Sequence, residues 1–136
     1  MNLRRIIGFV AATLCLGAPA LAHHSQVMFD QTKMVTLSGV VTRFAWINPH
    51  VQIFFEVDND GKKQIYQIEA NSALTMGRAG WKRDQFKAGD KVTVSFHPNR
   101  DGRSMGYLRK IVGPDDKPLE MTEGPGDPAA KAVKRV

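Results

Sequence analysis

An all-β domain with one short helix is what this sequence predicts, and three observations carry it. Apolar and polar residues alternate with a period of two around Val35–Val41, Val51–Val57 and Val92–Phe96. Clusters of Gly, Pro, Asn and Asp separate these stretches, and only the segment from Ser72 to Ala79 has helical character.

The chain opens with a segment that reads as a cleavable export signal. Arg4 and Arg5 supply a basic start, Ile6 to Leu16 an apolar run, and Ala20-Leu21-Ala22 a small-residue end. The apolar run is shorter than the ~20 residues a membrane-spanning helix needs, so residues 1–22 are expected to be removed and no membrane span to remain in the mature form. The paired arginines fit a twin-arginine signal poorly, and the general secretory route is the default. Localisation in the periplasm or outside the cell follows as an expectation.

Cleavage after Ala22 leaves 114 of the 136 residues, a length that supports one core and one domain. It also removes Cys15, the only cysteine, so no disulfide and no thiolate-held zinc or iron–sulfur cluster can support the mature fold. The 17 basic and 13 acidic residues that remain give a net charge of +4, scattered along the chain and not gathered into a stripe. Nucleic acid is therefore not expected as a partner; a small ligand or another periplasmic protein is. The divisions are an N-terminal arm over 23–34, a β-domain over 35–120, and a disordered tail over 121–136 rich in Gly, Pro, Ala and charge.

Each element has its own reason. Val35 to Trp46 begins as a half-buried strand with Val35, Leu37 and Val41 on one face, then changes phase to Phe44 and Trp46. That change, with Gly39 inside the strand, predicts a bulge or sharp bend. Asn48-Pro49 ends the strand, because proline has no N–H for a ladder. Val51, Ile53, Phe55 and Val57 alternate again, Asp58-Asn59-Asp60-Gly61 turns the chain, and Gln64 to Ala70 returns as a hairpin partner. Asn71 or Ser72 can cap the short helix, and Gly80 can stop it. Lys87-Ala88-Gly89-Asp90 leads into a fourth strand, and Pro98-Asn99-Arg100-Asp101-Gly102 into a fifth over Met105 to Val112, ended by Pro114 to Pro118. Three strands, a short helix and two further strands, with a glycine-bent first strand, make a five-stranded barrel like the oligonucleotide/oligosaccharide-binding (OB) fold. An immunoglobulin-like sandwich is the alternative, but it wants about seven strands and no inserted helix.

The candidate chemistry centres on histidine. His23 and His24 would open the mature chain. A free α-amine and an imidazole on one residue can chelate a metal together, and a second histidine completes a nitrogen-rich set that suits copper, or zinc. His23 resembles the first ligand of copper-dependent polysaccharide oxygenases in this single respect. His50, in the loop after Asn48-Pro49, is the expected third ligand, and His97 is a weaker candidate. A polar start to the chain and a turn-capping histidine are the plainer account of the same residues. Trp46, Asn48, His50, Trp81 and Arg78 make up the expected ligand-binding rim, with Phe44, Tyr66, Arg43 and Lys82 able to extend it. For the tryptophans, burial in the core is the competing expectation. No serine, histidine and carboxylate group into a catalytic set, and Glu56, Asp58, Glu69 and Asp90 are accounted for by turns and solvation. Three readings follow: a binding module with this rim, a copper or zinc handling protein using His23, His24 and His50, and a copper-dependent oxidative enzyme.

His23-His24-Ser25 with Phe29-Asp30, Trp46-Ile47-Asn48-Pro49-His50, Gly80-Trp81, Gly89-Asp90 followed by Val92, and Arg100-Asp101-Gly102 together resemble a family of exported bacterial proteins with a domain of unknown function. The resemblance runs from His23 to about Leu119. It implies periplasmic residence and a small β-barrel, supplies no activity, substrate or cofactor, and points at His23, His24, Trp46, Asn48, His50 and Trp81.

Overall fold

A computed structural model describes residues Gln26–Met121; the segment expected to be an export signal, His23, His24 and all but Met121 of the expected tail lie outside the described residues, and Met121 is buried in the core. After a 3₁₀ turn at Gln26–Met28 come β1 (Val35–Ala45), β2 (Gln52–Asn59), β3 (Lys62–Glu69), α1 (Ala73–Arg78), β4 (Lys91–Pro98), β5 (Met105–Val112) and β6 (Pro118–Glu120). The strand order is β3-β2-β1-β4-β5-β6. A parallel pairing of Gln67, Ile68 and Glu69 with Met105, Gly106 and Tyr107 joins β3 to β5 and closes β1 to β5 into a five-stranded, OB-like barrel.

The barrel closes because β1 is shared. Its first half pairs with β4, from Val35 opposite Phe96 to Val40 opposite Lys91, and its second half with β2, from Val40 opposite Glu56 to Ala45 opposite Gln52. The strand must bend sharply between the halves, and Gly39 permits the bend: a Cβ there would stand 2.3 Å from the Glu56 carbonyl oxygen. The register then slips between Val41 and Arg43, a bulge that accounts for the phase change in the sequence. Asp60 and Gly61, both with positive φ, form the two-residue turn between β2 and β3 that suits the twist of a hairpin.

The interior is filled by Val41 of β1, Ile53, Phe55 and Val57 of β2, Ile68 of β3, Val92, Val94 and Phe96 of β4, and Leu108 and Ile111 of β5, all buried. Phe96 crosses to β5 where only glycine fits, since a Cβ on Gly106 would meet its ring at 2.1 Å. Helix α1 covers one end of the barrel with the buried Met76. Ser72 is the N-cap, its hydroxyl accepting from the Thr75 N–H at 3.3 Å.

Two elements differ from the sequence reading. β6 adds a sixth strand to β5, with Leu119 opposite Ile111, where Pro114 to Pro118 had read as an ending. Its three residues are too few to show a period. The arm is also part of the fold. Phe29 is 1% exposed and bridges to Asn99, the Asp30 N–H donates to the Pro98 carbonyl at 2.8 Å, and Arg100 donates to the carbonyls of Met28 and Val27. Among the described residues, no helix is long and apolar enough to cross a membrane.

Candidate functional site

The predicted rim residues sort into two groups. Trp46 is half-buried, its ring edge-on to Phe44 at 6.1 Å and lying over Gly77 of α1. Phe44 meets Phe86 at 5.7 Å, and Phe86 meets Trp81 at 6.3 Å. These four rings seal the barrel against α1. Trp81, expected at the rim, is instead core at 4% exposure, because the turn after Gly80 folds its ring inward to fill the space beside Phe86. Tyr66 is half-buried, its ring packed between those of Phe55 and Phe96 at 5.7 and 6.0 Å. Asn48, in the loop with its cis Asn48–Pro49 bond, and Arg78, at the end of α1, are exposed.

His50 is the rim residue around which polar groups gather. The loop from Trp46 to Val51 delivers it beside the end of β3, where Val51 and Ala70 exchange backbone hydrogen bonds with their neighbours: the Val51 N–H donates to the Asn71 carbonyl at 3.0 Å and the Ala70 N–H to the Val51 carbonyl at 2.8 Å. Nδ1 of His50 lies 3.0 Å from the Ala70 carbonyl oxygen. A carbonyl can only accept, so Nδ1 carries the proton and Nε2 is the bare nitrogen of the neutral ring. Oε1 of Glu69 lies 3.3 Å from the same Nδ1, the two side chains being 29% and 15% exposed. That oxygen is shut off from solvent and has no hydrogen bond of its own.

The cluster continues across the outer face of the barrel. Glu69 stands opposite Tyr107, and Tyr107 opposite His97. The Tyr107 hydroxyl donates to Asn71 Oδ1 at 2.6 Å, and its ring carries Phe29 at 5.8 Å. His97 repeats the arrangement of His50, with Nδ1 donating to the Lys33 carbonyl at 2.7 Å. Glu69 was read from the sequence as an ordinary strand-end carboxylate; its alternation with Gln67 and Ile65 gave no sign that a loop would fold over it.

On barrels of this type, ligands commonly lie on the β2–β3 face between the β1–β2 and β4–β5 loops. Here that face carries Phe54 with the Arg43 guanidinium 4.1 Å above its ring, and Ile65 at 55% exposure. The His50 cluster borders it at the end nearest the β1–β2 loop. In the β4–β5 loop, Asn99 is buried with an unpartnered Nδ2. An open groove of about 920 Å³ lies elsewhere, lined by Ser38, Glu56, Asp58, Lys63, Asp90 and Asp116 among others, none of them rim residues. Its carboxylates are largely committed. Asp58 and Asp90 accept from turn N–H groups, and Glu56 pairs with Lys63 at 2.8 Å, which raises the pKa of the ammonium. Among the described residues, no three His, Cys, Asp or Glu side chains converge on a metal-sized site.

Residues 12–109 match a family model described as a family of unknown function, DUF6152. The chain belongs to this family. Among solved structures, this DUF6152 chain is similar to two crystal forms of the mitochondrial single-stranded DNA-binding protein Rim1 from S. cerevisiae. The first has 12% identity and a TM-score of 0.46 over 68% of this chain and 98% of Rim1; the second has 12% and 0.44 over 66% and 97%. A complex of TiaS with tRNA and ATP is similar at 20% identity and a TM-score of 0.40, over 71% of the DUF6152 chain and 20% of TiaS. No curated protein matches the DUF6152 chain.

Proposed function

We propose that this protein is an exported binding module that holds a small polar ligand, or a partner's polar side chain, at the barrel rim beside His50. The observation that carries the reading is the His50 arrangement: an imidazole held by the Ala70 carbonyl, with Nε2 bare and a carboxylate packed behind it. Export is read from Arg4, Arg5, the Ile6 to Leu16 run and Ala20-Leu21-Ala22. Of the rim proposed from sequence, Trp46, Asn48, His50 and Arg78 remain available; Trp81 is buried against Phe86 and drops out. Glu69, Asn71 and Tyr107 join it. The test is ¹H–¹⁵N NMR of the cleaved protein with a panel of neutral and acidic monosaccharides. Shifts should concentrate on residues 48–52, 69–71 and 105–107 and vanish in His50→Ala. Shifts spread over the groove near Asp58 and Asp116, or no binding across the panel, would defeat the reading.

A second reading is favoured by the same bare Nε2: copper or zinc binding by His50 together with the mature N-terminal His23 and His24. Imidazole nitrogen suits both metals. It is checked by titrating protein that begins at His23 with Cu²⁺, beside His23→Ala and His50→Ala. Equal affinities for all three would end it.

A further inference from the structure

We propose that the end of the barrel sealed by α1 docks on an anionic phospholipid surface, with Ile47 and Leu74 entering the headgroup boundary and Arg78, Lys82 and Arg83 engaging lipid phosphates. This goes beyond the ligand site at His50 and stands apart from it, although Trp46 and Arg78 border both.

Two exposed aliphatic side chains meet at this end. The indole of Trp46 lies over Gly77, its Cζ2 3.9 Å from where a Cβ on that glycine would stand. Ile47 follows Trp46 in the loop and is 49% exposed, while Leu74, three residues before Gly77 on α1, is 63% exposed. Beneath the seam, the rings of Trp46, Phe44, Phe86 and Trp81 follow one another at 6.1, 5.7 and 6.3 Å, so both side chains are presented on a packed aromatic layer.

The cations come from the same stretch of backbone. Arg78 shares a face of α1 with Leu74, four residues before it. Past the helix the chain doubles back, the Trp81 N–H donating to the Met76 carbonyl at 3.0 Å and the Gln85 N–H to the Lys82 carbonyl at 3.1 Å. Lys82 and Arg83 are thereby set in a turn beside the helix end. All three cations are exposed and, among the described residues, none has a carboxylate within ion-pair distance. Residues 70–83 contain no Asp or Glu; Glu69 faces His50 at 3.3 Å, and Asp84 is the acidic neighbour in sequence.

Apolar tips set among unpaired cations match the chemistry of an anionic bilayer surface. A stable protein contact buries about 800 Å² per partner, far more apolar contact than two aliphatic side chains and an indole edge provide. A lipid surface asks for less. Binding there grows with the apolar area inserted plus the attraction of basic side chains, whose long stems keep the charge at phosphate level while apolar neighbours go deeper. Each Lys or Arg near an anionic bilayer contributes about fivefold to partitioning, so three contribute on the order of 100-fold. The half-buried indole of Trp46 suits the headgroup level between them.

The experiment uses protein that begins at His23, so that the apolar run from Ile6 to Leu16 cannot insert by itself. Co-sedimentation is measured with vesicles of phosphatidylcholine mixed with phosphatidylglycerol, and with phosphatidylcholine alone. The mixed vesicles should bind at least about tenfold more tightly, and added salt should weaken the binding. Replacing Arg78, Lys82 and Arg83 together by Gln should lose roughly 10- to 100-fold, and Ile47→Gln with Leu74→Gln at least about fivefold, both melting close to wild type by circular dichroism. Replacing Lys62, Lys91 and Lys117 by Gln removes equal charge elsewhere and should bind within about threefold of wild type, as should His50→Ala. Equal losses from the two cation sets would reduce the effect to net charge and overturn the proposal. Loss of binding in His50→Ala would move the contact to the His50 rim and overturn this face. Binding to heparin without binding to vesicles would make the patch a polyanion site, which also overturns it. No binding to either vesicle refutes the docking and leaves the His50 reading standing. Should the glutamine pair fail to fold, Ile47→Gln alone decides.

Discussion

The ring of Phe29 packs on that of Tyr107 at 5.8 Å, and through this contact the N-terminal arm becomes part of the barrel. Phe29 is 1% exposed, and Tyr107 extends the contact to Asn71 beside the His50 loop. Replacing Phe29 by alanine removes a fully buried aromatic and should cost about 3–5 kcal/mol, read as a lower midpoint in urea denaturation. A loss below about 1 kcal/mol would mean that the arm only rests on the surface.

Tyr107→Phe isolates the hydrogen bond from the ring packing. Without the hydroxyl, Asn71 Oδ1 loses its 2.6 Å donor in a part-buried setting, and stability should fall by about 1–3 kcal/mol. Chemical shifts of Asn71, Ala70 and His50 should move together, while those of the β2–β3 turn stay put. Unchanged stability would show that water replaces the hydroxyl without loss.

Two glycines should respond in opposite directions to alanine. At Gly39 the new methyl would meet the Glu56 carbonyl at 2.3 Å, a backbone atom with nowhere to go, so Gly39→Ala should destabilise by about 1–3 kcal/mol. Gly77 lies inside α1 with nothing closer than 3.9 Å, and there alanine should stabilise by about 0.5–1 kcal/mol. Thermal melts of both variants check the pair; the same sign in both would contradict the bend assigned to β1.

Acid should loosen the arm and the β4–β5 loop together. The Thr32 hydroxyl and N–H, then Lys33, hold the Asp30 carboxyl below its ordinary value; the Arg103 N–H, then its guanidinium, do the same for Asp101. A lowered folded-state value means the unfolded chain takes up protons first. The contribution is therefore full above about pH 4 and is lost as pH falls through the lowered values. Amide protection at Phe29–Lys33 and Asn99–Arg103, measured relative to the intrinsic exchange rate at each pH, should fall below about pH 4, with Asp30→Asn removing the trend from the arm. Protection in the arm that is flat with pH would refute it.

The five-stranded barrel was legible because its signals are local. The alternation in Val51–Val57, the Asp60-Gly61 turn and the serine cap of α1 each lie within a few residues, and the phase change in β1 marked the bulge at Val41/Arg43. β6 was hidden because three residues cannot display a period. The arm was hidden because Phe29 is a lone aromatic whose pocket is made by Asn99 and Tyr107, far along the chain. The site was half legible. His50 stood out as a loop histidine after Asn-Pro, but Glu69 gains its meaning only from the ring folded over it. Trp81 has a sequence context that suits either surface or core, and packing on Phe86 settled it.

The two-sided pairing of β1 has a consequence for how the molecule comes together. Val35 waits for Phe96 and Phe29 for Asn99, partners some 60 to 70 residues downstream, whereas the second half of β1 needs only the adjacent hairpin. A chain that emerges beginning first can therefore build β1–β2–β3 early and yet keep its leading end loose until β4 and β5 arrive. The arm at Phe29 and the first half of β1 therefore have nothing to pair with until the chain as far as Asn99 is present, and a chain cut short before β4 would leave both unanchored.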